Sequence, residues 1–143
     1  MKTPDLLLFK LCDEVFGINV SDVKDIKVFE KITKIPDSSE YVEGIIAARG
    51  DITVVINLKM LLDLEDSTVF NDSRIIIVNS EKIQLGLLVD EVVGNLVSGV
   101  NRYEQYSNIN PEVNKNYIIE IRKHKGKHIM VLDLDSIERA IKI

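Results

Sequence analysis

The stretch YVEGIIAARGDITVVINL, residues 41–58, constrains the fold more than any other, because two β-branched, apolar runs flank Arg49-Gly50-Asp51. Such side chains are stiff about χ1 and pack well on a pleated surface, and a Gly-containing break between two such runs reads as a hairpin turn. Arg49 then stands at a strand end with a charge that must reach water or find an acid. With no obvious catalytic group in the stretch, recognition is a better expectation than chemistry.

The pattern recurs along the chain. Short runs rich in Ile, Val, Leu and Phe, separated by turn residues, mark about ten candidate strands: 6–12, 15–20, 28–35, 45–49, 52–58, 74–79, 83–90, 92–97, 117–123 and 129–134. The spacing is that of sandwiches and barrels, so the chain reads as mainly β. Short helices fall between the strands. Residues 135–143 carry capping-box spacing at Asp135 and Glu138, with Ile137, Ala140 and Ile141 on one face, and should seal a barrel end. Residues 58–64 form a second helix capped by Asn57, and a third over 21–26 brings Val23 and Ile26 to one side. Ser38 or Ser39 to Glu43 forms a turn closed by Gly44. The longest stretch without a strand signal, 98–116, reads as a mobile loop.

At 143 residues the chain is one domain, or two small lobes with a common core, and a chain of this size buries roughly 70% of its unfolded surface without a staple. The single cysteine, Cys12, excludes an internal disulfide and a multi-cysteine zinc site, and reads as a small apolar strand residue in a reducing compartment. The apolar run near the N-terminus stops at Lys10, too early for a signal peptide or a membrane span, which makes a cytoplasmic protein the expectation. Acidic residues outnumber basic ones by 23 to 18, which disfavours nucleic acid as a partner and favours a protein.

The chemistry-bearing candidates are few. His124 and His128 flank a lysine-rich hairpin tip, where neighbouring ammonium groups would repel a metal ion and only Asp133 and Asp135 are at hand to complete a ligand set. The basic run 122–128 has no interleaved aromatics on which bases would stack. No G-x-S-x-G elbow and no phosphate-cradling glycine pattern is present. Asp90 stands apart from the other acids: it ends the run GLLVD, whose apolar residues hold its backbone firmly, so its carboxylate is suited to a specific salt bridge.

Read in order, LLLFKLCDEVFGINVSDVKDI, ITKIPDSSEYVEGIIAARGDITVVINL, SRIIIVN, IQLGLLVDEVVGNL and YIIEIRKHKGKHIMVLDLDSI resemble the CheW-like coupling proteins of bacterial chemotaxis over nearly the whole chain. Each piece alone is weak, and the specificity lies in five pieces in the family's order. Asp25 stands where the family's V-x-E-I element has glutamate, Ala47-Ala48 where it has Asn-Leu, Val55 where it has proline and Asn57 where it has aspartate.

The resemblance implies two small, intertwined, five-stranded SH3-like β-barrels with short helices, a shared core and an apolar groove between the barrels. It implies a non-enzymatic, cytoplasmic adaptor with no cofactor and no metal, bridging the cytoplasmic tip of methyl-accepting chemoreceptors to the regulatory domain of the histidine kinase CheA. By motif, Val23 and Ile26 line or support the receptor groove, and Gly44 holds the turn that shapes it. Arg49, followed by Gly50, occupies the polar rim with Asp25 as its acid partner. Val89 and Asp90 form a second wall, a kinase contact or plain strand packing. A CheW-type module of another chemosensory pathway, or a relative of the coupling half of CheV, is the near alternative. A small β-barrel enzyme or oligonucleotide-binding fold is the distant one.

Overall fold

The computed structural model describes residues 5–80, 83–96, 102–103 and 112–141. Among these residues, eleven strands form two sheets. The first contains β1 (Leu6–Leu11), β2 (Glu14–Asn19), β8 (Glu91–Leu96), β9 (Arg102–Tyr103), β10 (Ile118–His124) and β11 (Lys127–Leu132), in the spatial order β8-β1-β2-β11-β10-β9. The second contains β3 (Val23–Val28), β4 (Val42–Ala48), β5 (Asp51–Asn57), β6 (Arg74–Val78) and β7 (Gln84–Val89), in the order β3-β6-β7-β5-β4. The chain therefore begins in one sheet, builds the whole of the other, and returns, which is the intertwining expected from the sequence. Neither sheet closes into a complete barrel through backbone ladders among the described residues. In the second sheet the edges do approach: Lys27 Nζ on β3 donates to Ala47 O on β4 at 3.4 Å.

Alternation explains how each sheet uses both faces. The inner faces share one core, in which Leu7, Phe9, Phe16 and Ile18 of the first sheet meet Val54, Ile56, Ile76, Leu85 and Leu87 of the second. Phe9 and Phe16 are directly opposed in the β1–β2 ladder, with ring centroids 6.1 Å apart. Burial of such side chains contributes roughly 1.5–3 kcal/mol each. The opposite faces carry private clusters, Ile46, Ala48, Val55, Ile75, Ile77 and Leu88 in the second sheet and Leu6, Leu96, Ile129 and Val131 in the first. Register between the parallel strands β5 and β7 is pinned by a buried polar pair: Gln84 Nε2 donates to Thr53 Oγ1 at 2.7 Å and to Ala48 O at 2.8 Å. A one-residue slip would strand these groups without partners.

Among the described residues, two α-helices frame the sheets. Helix α1 (Leu58–Leu61) has Asn57 as its cap, the carboxamide oxygen accepting from Met60 N. Helix α2 (Leu134–Ala140) buries Ile137 in the shared core. It begins earlier than the capping-box spacing suggests: Asp133 is the N-cap, and its carboxylate accepts from the Ser136 hydroxyl at 2.7 Å instead of from a backbone N–H.

Several further expectations need correction. Residues 21–26 are not helical; only Val20–Asp22 makes a 3-10 turn, and Val23–Val28 is a strand. The i, i+3 spacing of Val23 and Ile26 mimics a helix because a bulge lies between them: Val23 pairs with Val78, Asp25 with Ile77 and Ile26 with Ile76. The extra residue brings Val23 and Ile26 to the same sheet face. Val28 ends β3, and residues 29–35 form no strand, the interspersed charges Glu30, Lys31 and Lys34 leaving only a single bridge between Thr33 and Ile45. The stretch 98–116 contains the short strand β9 and the 3-10 turn Lys115–Tyr117, while 97–101 and 104–111 lie outside the described residues, so their expected mobility is untouched.

Gly44 does not close a turn but sits inside β4 at φ 144°, beside a bulge, where an added Cβ would stand 2.1 Å from the Thr33 carbonyl oxygen. Gly50, at φ 80°, has open space around it. Gly44→Ala should therefore lower unfolding stability by about 3 kcal/mol or more, since backbone atoms must move. Gly50→Ala should cost only the left-handed strain, roughly 1–2 kcal/mol. Urea unfolding of the two variants measures the difference.

Candidate functional site

The two sheets leave a cleft of about 810 Å³ between them, lined by the β1–β2 turn, the β7–β8 junction, β3, β6, α1 and the segment 66–72. Its apolar surface comes from Ile26, Phe70 and Val92; Ile26 remains 41% exposed and Phe70 42%. Charged groups surround them: Lys10, Lys59 and Arg74 against Asp13, Asp66, Asp72, Asp90 and Glu91. A cleft thus lies between the sheets, but it is more polar than the apolar groove expected from the resemblance, and neither Arg49 nor Gly44 lines it.

The most enclosed charges are already engaged. Lys59, only 3% exposed, places Nζ 2.7 Å from Asp90 Oδ1, donates to Thr68 O and lies over the Phe70 ring at 4.8 Å from its centroid. Asp90 Oδ2 accepts from the Cys12 amide at 2.7 Å, and the Asp90 amide donates to Lys10 O at 3.1 Å. Arg74 Nη1 is turned onto the Asp72 and Ser73 carbonyls at 2.7 and 3.1 Å. Asp66 Oδ1 accepts from the Thr68 amide, and hydrogen bonds from Thr68 hold its carboxyl below the usual range. These are positioned, satisfied groups, unlike a pair of carboxylates prepared to exchange a proton with a substrate.

Of the residues singled out from the sequence, the cleft brings together Ile26 and Asp90. Val23 is half-buried against the shared core, and Val89 is 1% exposed within it. Asp25 uses its carboxylate locally, Oδ1 accepting from the Ile26 amide at 2.8 Å. Arg49 and Gly50 form the two-residue tip of the β4–β5 hairpin, with φ of 51° and 80°, as a type I′ turn requires. Arg49 is exposed there, and no ion pair with Asp25 occurs among the described residues. Lys59 escaped the sequence reading. A lysine in a short helix is ordinarily solvated, and nothing local to Leu58–Leu61 marks this one as buried.

The comparisons with known proteins agree with this architecture. Residues 5–142 match the CheW-like domain. The chain belongs to the CheW-like domain family. It is 27% identical over 146 residues to the chemotaxis protein CheW of Thermotoga maritima, covering 100% of this chain and 93% of that protein. It is 34% identical over 86 residues to the chemotaxis protein CheW of Bacillus subtilis, covering 60% of this chain and 55% of that protein. Among solved structures, the scaffolding protein TtCheW of Thermoanaerobacter tengcongensis superposes with a TM-score of 0.81 at 32% identity, covering 91% of this chain and 88% of that one. Among the described residues, no helix of this CheW-like chain is long and apolar enough to cross a membrane.

Cys12 occupies the cleft at φ 56°, its thiol donating to Asp66 O at 3.5 Å. Burial raises its pKa, Lys59 counteracts this, and the acids Asp90, Asp66 and Asp13 add to the rise. A raised pKa leaves less thiolate at any given pH. Iodoacetamide alkylation of Cys12 should therefore show a pH–rate midpoint above that of an unstructured cysteine peptide. A midpoint at or below the peptide's would contradict the electrostatic environment described.

Proposed function

We propose that this protein is a non-enzymatic scaffold that couples the cytoplasmic tip of methyl-accepting chemoreceptors to the regulatory domain of the histidine kinase CheA. The observation that carries the reading is the inter-sheet cleft with its exposed Ile26, in a chain of the CheW-like family whose fold follows that of a scaffolding protein. An amphipathic helical tip lays its apolar residues against such a surface while rim charges set its orientation. In this reading the receptor face comprises Ile26 with Val23 behind it, Asp25 beside it, and the hairpin built by Gly44, Arg49 and Gly50. Asp90 belongs to the opposite wall, with Val89 supporting it from the core. The protein works in the cytoplasm as one unit and reaches membrane arrays through its protein contacts, without a cofactor.

The physical support is the economy of the site. The enclosed charges satisfy one another, which leaves a fixed surface, and Arg49 is an exposed guanidinium whose planar fork can hold an acid of a partner. The test is co-sedimentation of this protein with a receptor signalling fragment and CheA. A ternary complex is expected, and failure to bind either partner would overturn the proposal. Arg49→Glu should weaken receptor binding by ~2 kcal/mol or more if the guanidinium is a central anchor. Lys125→Glu, at the exposed tip of the β10–β11 hairpin, serves as the control of equal charge change.

A further inference from the structure

We infer that the Asp90–Lys59 ion pair is a positioning element that sets how the two sheets stand relative to each other, and so fixes the separation of the cleft's walls. Only its bearing on receptor binding depends on the function proposed above.

Asp90 is the single residue between β7, which belongs to one sheet, and β8, which belongs to the other. The chain thus crosses between sheets at this position, within the wall of the cleft. The crossing is held from both sides. Toward the first sheet, Asp90 bonds the β1–β2 hairpin twice, accepting from the Cys12 amide and donating to Lys10 O. Toward the second sheet, the carboxylate meets the ammonium of Lys59 on α1, the helix that directly follows β5. Lys59 in turn fastens the segment beyond α1 through Thr68 O and the Phe70 ring. One ion pair therefore ties four segments at the base of the cleft: the β1–β2 turn, the sheet crossing, α1 and residues 68–70.

The side chains are only 4% and 15% exposed, so both charges have lost most of their water. A pair this enclosed is seldom more stabilising than apolar groups of the same size, because desolvation offsets the attraction. What it does supply is direction. An ammonium held by a carboxylate, a carbonyl and an aromatic face permits one arrangement, whereas an apolar contact tolerates sliding. The wall bearing Ile26 and the wall bearing Val92 are the surfaces that such sliding would displace.

The experiment compares the native protein with Lys59→Met, Lys59→Arg and the double variant Lys59→Met/Asp90→Asn. The single Met variant leaves a buried carboxylate unpaired and is prone to unfold. The double variant removes both charges while the asparagine carbonyl still accepts from the Cys12 amide, so it keeps the comparison within folded proteins. Spin labels at positions 52 and 93, exposed sites on β5 and β8, report the inter-sheet distance on a Cys12→Ser background without any partner. The double variant should broaden the distance distribution, with amide exchange in the shared core unchanged, and should bind the receptor fragment about tenfold more weakly. Lys59→Arg, which keeps a cation opposite Asp90, should retain the native distance distribution and affinity. A folded double variant with an unaltered distance distribution overturns the inference, and a broadened distribution with unaltered receptor affinity overturns its bearing on receptor binding. If the native protein fails to bind the fragment at all, the functional reading falls, while the distance measurement still decides whether the pair positions the sheets.

Discussion

Everything in this molecule depends on one apolar layer that neither sheet can bury alone. Phe9, Phe16 and Ile18 on one side and Ile56, Ile76 and Leu87 on the other are essentially inaccessible only because the sheets face each other. Since β1 and β2 precede the second sheet in the chain while β8 to β11 follow it, the first sheet cannot form until the second has been traversed. The shared core is therefore also a constraint on connectivity, and the two places where the chain crosses between sheets become the sites at which geometry is decided. One is the 3-10 turn Val20–Asp22, capped by Asn19. The other is Asp90, anchored by a charge pair.

What could be read from residues alone follows from the range of the interactions involved. Two-residue turns, caps and alternation are local, and Arg49-Gly50, Asn57 and most strands were readable in these terms. The failures have long-range causes. Whether 21–26 becomes helix or strand depends on β6, some fifty residues later, offering its edge to Val23–Val28. A bulge then disguised the strand by giving it a helical spacing, which no local rule resolves. Beyond Val28 the apolar content of 29–35 is equally misleading: β4 offers a free edge there, but the segment, broken by Glu30, Lys31 and Lys34, meets it only at the Thr33–Ile45 bridge.

The candidate site shows the same division. Asp90 could be singled out because the apolar run before it fixes its backbone, yet its partner Lys59 stands 31 positions away and joins it only when α1 is packed. A cleft made by two sheets has no sequence motif of its own. Its members Lys10, Ile26, Phe70 and Val92 come from four different strands or loops, and each looks ordinary where it occurs. Recognition surfaces of this kind are therefore reached through the fold, in contrast to metal or nucleotide sites, whose ligand spacing is written locally.

The departures from the family's pattern gain a physical meaning once their surroundings are known. Asn57 stands where aspartate is usual, and its carboxamide donates to Glu43 Oε1 at 2.9 Å and to Ser67 O at 3.0 Å. An ionised aspartate could make neither bond and would face a second carboxylate, so asparagine here is tied to the acid on β4. Val55, in place of proline, lies between β4 and β7, where a backbone N–H is useful to the ladder. Asp25, one methylene shorter than the glutamate it replaces, folds back onto the Ile26 amide. Arg49 is exposed at the hairpin tip and forms no ion pair among the described residues, so its charge is directed outward. The two edges of the second sheet thus present different chemistry, a carboxylate held on its own backbone at β3 and an exposed guanidinium beyond β4, on one fold.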